Sequence, residues 1–245
     1  MYENLKKKFG QNFLIDKNIL LKIINLIDLN NLDILEIGPG NGMLTDYIIL
    51  KKPSKLTLIE IDKELAEGLL IKYSKLNYIN VINANILEID FKENYQLIIS
   101  NLPYNISSQI IVKLALLNKS PGKLILMFQK EFAKRLLDTK INSLNSLIRC
   151  FYDVKLSFNV SKNCFRPVPK VDSSVLVFSK KDKKLLIESE VNDFIVFKRN
   201  LFSHKRKSLK NLLRQYHLEK DFNLNLRVEN LKLETLISIF RAVNS

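Results

Sequence analysis

Tryptophan is absent from this 245-residue chain, and there are only two cysteines, two histidines, six glycines and six prolines. Cys150 and Cys164 lie far apart and form no CxxC pair. That excludes a disulfide framework and a cysteine-based zinc site, and leaves two small apolar side chains in a reducing cytosol. His204 and His217 have no cysteine or carboxylate cluster beside them, so no metal site is expected. Every apolar run is broken by Lys, Asn or Asp before it reaches membrane-spanning length. The opening stretch, MYENLKKKFGQNF, has no apolar signal region. A cytoplasmic protein without a membrane partner is therefore expected, and the glycosylation pattern Asn105-Ile106-Ser107 is a chance match.

Acidic residues are also short: 25 Asp and Glu stand against 39 Lys and Arg, a net charge of +14. The abundance of Lys, Asn and Ile matches AT-rich coding, which accounts for part of the excess but not for its clustering. A chain this basic meets a polyanion, with nucleic acid the first candidate. Hydrophobic residues make up 47%, enough for a sizeable core.

Short apolar runs alternate with helical patterns. The runs are residues 33–37, 55–61, 81–82, 96–99 and 123–128; the helical stretches are 45–50, 64–73, 107–117 and 130–137. This alternation predicts a mostly parallel α/β sheet. Residues 154–160 and 173–178 read as an antiparallel hairpin at the sheet edge. After the charged run 179–184 only helical spacing remains, over 191–216 and 227–243. The expected division is residues 1–180 as an α/β domain and 181–245 as a small all-α domain.

Three of the six glycines, Gly38, Gly40 and Gly42, alternate directly after the first strand, in LEIGPGNGMLT. They permit a sharp turn and close approach of a ligand to the backbone. About 20 residues on, the next strand ends in Glu60-Ile61-Asp62, where a carboxylate can take ribose hydroxyls. An adenosine-containing cofactor is implied. Glu36 at the strand end would repel a pyrophosphate but would attract a sulfonium or an ammonium, and S-adenosylmethionine carries both. A ligand-free glycine turn and a nicotinamide oxidoreductase are the competing readings, and the ExGxGxG spacing disfavours the second.

The run Leu97-Ile98-Ile99 leads into Asn101-Leu102-Pro103-Tyr104. An ordinary turn would need only the Asn or the Pro. If the methyl acceptor is an exocyclic amine of a base, its delocalised lone pair makes it a poor nucleophile. The Asn101 oxygen and the Leu102 carbonyl could each accept one of its N–H groups and aim the lone pair. Pro103 would hold the Leu102 carbonyl, and Tyr104 would offer a face on which the extruded base stacks.

This combination resembles the adenine-N6 methyltransferases of ribosomal RNA, over nearly the whole chain. Residues 8–14 (KFGQNFL), 128–135 (FQKEFAKR), 165–173 (FRPVPKVDS) and 201–209 (LFSHKRKSL) are each similar to a motif of that family. The resemblance implies a Rossmann-like class I methyltransferase domain and S-adenosylmethionine as cofactor, contacted by Asn12, Leu14, Gly38, Gly40, Glu60, Asn85 and Asn101. It assigns the chemistry to Asn101, Leu102, Pro103 and Tyr104, with Phe165 lining the target-base pocket. Asn85 stands where the family usually has an Asp, so charge assistance to the cofactor adenine is lost and weaker binding is expected.

The small-subunit members of the family dimethylate two adjacent adenosines near the 3′ end of 16S rRNA, and the NLPYNISS and LFSHKRKSL segments lean towards them. The implied partner is the small-subunit rRNA of a 30S precursor, during late assembly, met by a monomer. The basic cluster His204, Lys205, Arg206, Lys207, Lys210 and Arg214, read as part of a basic helix, would contact RNA phosphates, with Lys6, Lys7 and Lys8 adding to that surface. Two alternatives stay open: a large-subunit methyltransferase of the erythromycin-resistance type, and an assembly factor without catalysis.

Overall fold

The computed structural model describes residues 11–91, 93–216, 218 and 222–244. Lys6, Lys7 and Lys8 and the first three residues of the KFGQNFL motif lie outside them, as does His217. In chain order the elements are β1 (Phe13–Leu14), α1 (Lys17–Ile24), β2 (Asp33–Ile37), α2 (Met43–Ile49), β3 (Lys55–Glu60), α3 (Lys63–Lys72) and β4 (Ile79–Asn83). Then follow β5 (Leu97–Asn101), α4 (Ser107–Ala115), β6 (Lys123–Gln129), α5 (Lys130–Leu137), α6 (Asn145–Ile148), β7 (Tyr152–Val160), β8 (Phe165–Arg166) and β9 (Ser173–Lys180). Helices α7 (Val191–Ser203), α8 (Leu209–Leu212) and α9 (Leu233–Val243) complete the chain.

The strands form a seven-stranded sheet in the order β4-β3-β2-β5-β6-β9-β7. The first five are parallel, and β9 runs antiparallel to β6. The central strands are near-continuous apolar runs because helices cover both faces: Ile34, Leu35, Leu56, Leu58, Leu97, Ile98 and Ile99 are all buried. The two late strands do lie at the sheet edge, but not as a tight hairpin. Residues 161–172 intervene and carry β8, which pairs antiparallel with β1 through Leu14 and Phe165.

The chain divides into two compact units. The first runs to Ala133 and resumes at Val154–Lys180; the second comprises Lys134–Asp153 and the chain from Lys181 onward. Residues 134–153 thus belong with the C-terminal part, whereas the sequence reading places them in the α/β domain. They join it through polar side chains that carry no periodic signal. Lys198 Nζ on α7 reaches across to donate to the Ser143 carbonyl at 2.6 Å, and within residues 134–153 Asn145 Nδ2 donates to the Lys140 and Asp138 carbonyls at 3.0 and 3.2 Å. Around them Phe194, Phe197 and Phe240 pack with ring centroids 5.3 to 5.5 Å apart.

The glycine turn after β2 has φ of +63° at Gly38, +61° at Gly40 and +82° at Gly42. A Cβ on Gly42 would strike the Tyr73 hydroxyl, which donates to Asp46 Oδ1 at 2.8 Å and lies 3.1 Å from the Gly42 carbonyl. Gly42→Ala combines left-handed strain with that clash, so it is expected to destabilise the protein by about 2 kcal/mol or more, read as a lower chemical-denaturation midpoint.

Candidate active site

The order of strands reverses at β2: the chain builds outward to β4, then returns to place β5 on the other side. At such a switch point the carboxyl ends of two neighbouring strands diverge and leave a crevice. The cleft found there encloses about 940 Å³, part of it open to solvent. Four of the segments that the sequence singled out, with Asn85, line it: Gln11 to Leu14, Glu36 to Asn41, Glu60, and Asn101 to Tyr104; residues 128–135, 165–173 and 201–209 do not.

Two carboxylates dominate its chemistry. Glu60 ends β3 with both oxygens engaged, accepting from Gly40 N at 3.0 Å and Asp62 N at 2.9 Å. Burial raises its pKa. Asp62, two residues on, is held by the start of the next helix. It caps α3 by accepting from Glu64 N at 3.1 Å, and it takes Gln11 Nε2 at 3.3 Å. Glu36, only 2% exposed, accepts from Thr45 Oγ1 at 2.7 Å. Desolvation pushes its carboxyl up to about 8, with Asp46 and Glu60 adding to the rise and Thr45 opposing it.

The Asn101 amide is oriented by its nitrogen, which donates to the Asn12 carbonyl at 2.9 Å. That leaves the Asn101 oxygen as the acceptor at the cleft. The following turn is tied down at Pro103, whose carbonyl accepts from Ser107 Oγ at 2.9 Å. The Tyr104 hydroxyl lies 2.6 Å from Ser173 Oγ, at the start of β9. Burial raises the Tyr104 pKa, so the ring is a neutral phenol.

Phe165 is placed differently from the reading that put it in a base pocket. It is fully buried in the apolar core behind Leu14 and does not line the cleft. Asn85 lines the cleft with its oxygen accepting from Leu87 N at 3.0 Å and its nitrogen donating to Glu88 Oε1 at 2.7 Å. Phe13, quoted only as part of a motif, sits against the glycine loop: a Cβ on Gly40 would come within 2.5 Å of its ring. Thr45 and Ser173 were also unassigned, although each falls inside a quoted segment. In the second unit the basic cluster is not one helix. Helix α7 stops at Ser203, His204 to Lys207 form an exposed turn, Lys210 lies on α8 and Arg214 follows it; all six are exposed.

A mostly parallel sheet with a carboxylate-lined cleft at its switch point and an amide-led NLPY turn defines a class I methyltransferase. The ribosomal RNA adenine dimethylase family matches residues 2–244, and the chain belongs to that family. It is 38% identical to the ribosomal RNA small subunit methyltransferase A of Mycoplasmopsis pulmonis, over 96% of this chain and 97% of that one. With the namesake of Mycoplasma mobile it shares 41% identity over 90% of this chain and 87% of the other. Among solved structures it is similar to a dimethyladenosine transferase from Plasmodium falciparum (TM-score 0.82, 26% identity, 95% and 97% coverage) and to the 23S rRNA methyltransferase ErmE (0.75, 25%, 95% and 100%).

Glu36 makes stability pH-dependent. Its folded pKa, about 8, lies above the unfolded value, so the folded state holds the extra proton between those limits and loses stability as pH rises through them. Between pH 5.5 and 8.5 the wild type should lose on the order of a few kcal/mol more than Glu36→Gln, measured by chemical denaturation.

Proposed function

We propose that the chain transfers methyl groups to the N6 amines of two adjacent adenosines near the 3′ end of small-subunit rRNA, acting as a cytoplasmic monomer on a 30S precursor. The reading rests foremost on the Asn101 amide, locked by Asn12 so that its oxygen faces the cleft beside Tyr104. The names and near-full-length coverage of the relatives support small-subunit rRNA as the substrate.

The cleft fits S-adenosylmethionine. The bare backbone at Gly38, with nothing within 4 Å of where a Cβ would stand, admits a nucleoside, and Glu60 stands at the strand end to take ribose hydroxyls. When bound, the cofactor supplies an electrophilic methyl group. The chain's own residues position the acceptor. The Asn101 oxygen and the Leu102 carbonyl accept the two N–H groups of the adenine amine, which raises the lone pair out of conjugation. Tyr104, braced by Ser173, carries the base on its face. Because the amine becomes cationic before it loses a proton, it needs no strong base. Glu36 is neutral at pH 7 without ligand, and a cation beside it favours the carboxylate. Cofactor binding at pH 7 should therefore release a proton in wild type and not in Glu36→Gln, read by calorimetry in buffers of different ionisation enthalpy.

Asn85 offers a neutral acceptor, and Glu88 would repel a carboxylate placed there. Asn85→Asp combined with Glu88→Gln should bind the cofactor about fivefold tighter than wild type by equilibrium binding, whereas Asn85→Asp alone should gain less.

The deciding assay incubates the protein and labelled S-adenosylmethionine with small subunits that lack the modification, with large subunits in parallel. Reverse-transcription stops at adjacent adenosines near the small-subunit 3′ end are expected, falling about 100-fold with Asn101→Ala. Label in the large subunit alone would overturn the substrate assignment. No label in either subunit, with cofactor bound, would leave an assembly factor.

A further inference from the structure

The second unit has a cavity of its own, between α7, the segment after α8 and the end of α9. It encloses about 670 Å³ including its open mouth. Its floor is apolar, from Phe197, Leu201 and Leu213. Asn200 and Gln215, whose amides can read a base edge, and Tyr216, whose ring can stack on one, also line it. Tyr216 is 38% exposed, and among the described residues none of these three groups has a hydrogen-bond partner.

We infer that this cavity receives one unpaired nucleobase of the RNA substrate. The inference rests on the rRNA-methyltransferase reading and adds base recognition to a unit otherwise read as gripping phosphates. Charge placement selects the occupant. Asp193 also lines the cavity, and its carboxylate repels a phosphate inside but accepts N–H groups of a neutral base. Cations are the neighbours in sequence of the lining residues. Lys205, Arg206 and Lys207 follow the last turn of α7, and Arg214 sits between the lining residues Leu213 and Gln215. The phosphates flanking a splayed-out nucleotide would lie against those cations while the base enters. Single-stranded RNA is read in this way, with an aromatic face for stacking and side-chain amides for the edge.

Binding of the full chain to unmodified small subunits would be measured across a series of salt concentrations. Tyr216→Ala and the double variant Asn200→Ala with Gln215→Ala should each weaken binding about fivefold or more, with an unchanged salt slope, and Tyr216→Phe should retain most of the affinity. Lys207→Ala and Arg214→Ala should instead each lower the slope by about 1. Ultraviolet crosslinking should join the Tyr216 peptide to a single unpaired nucleotide, mapped by reverse transcription. Unchanged affinity in the cavity variants, or no crosslink at Tyr216, while wild type still methylates small subunits, overturns the base pocket alone. Wild type that neither binds nor methylates them overturns the rRNA reading with it.

Discussion

The bond from the Asn101 amide nitrogen to the Asn12 carbonyl is the constraint on which the site depends. An unrestrained carboxamide can present either of its two ends to a ligand. Here one end is consumed by a backbone carbonyl 89 residues away in sequence, so the other must be the oxygen. An acceptor fixed in this way holds an amine at no further entropic cost, whereas a free one would have to be ordered each time. Gln11, Phe13 and Leu14 come to the cleft on the same short stretch, and the β1–β8 pairing anchors it from below.

Electrostatics follow from the same geometry. The strand order opens the crevice at β2, and two carboxyl groups occupy it at the ends of β2 and β3. Burial outweighs the hydrogen bonds they accept and, at Glu36, the charge of Lys72, so both are raised in pKa. Such a site is energetically unfavourable when empty and matched to a ligand bearing positive charge. Folding stability is spent there on binding.

Much of this was legible in the residues. Continuous apolar runs without alternation marked the central parallel strands, and the glycines with their succeeding acid marked the crevice. Two features were not legible, for physical reasons. Phe165 carries the same signal whether it faces a ligand or the core, because an aromatic side chain suits both. The basic stretch 201–209 has helical spacing, yet α7 ends at Ser203 and Leu209 and Lys210 are held by the Leu226 and Leu224 carbonyls. That return of the chain is a tertiary contact, which local propensity does not encode. Residues 134–153 were misplaced likewise, since the Lys198–Ser143 hydrogen bonds that tie them to α7 leave no periodic signal.

The hydrogen bond between Tyr104 and Ser173 has a bearing on synthesis. The turn proposed to hold the acceptor amine is braced from one side by residue 12 and from the other by the first residue of β9, a strand inserted beside β6 only after β7 has been made. A nascent chain still short of β9 holds the glycine loop and the NLPY turn yet has neither the finished sheet nor the support for Tyr104. Competence therefore arrives late in translation and in one step, so a chain stalled or cleaved before residue 173 would present a cleft without a working acceptor platform.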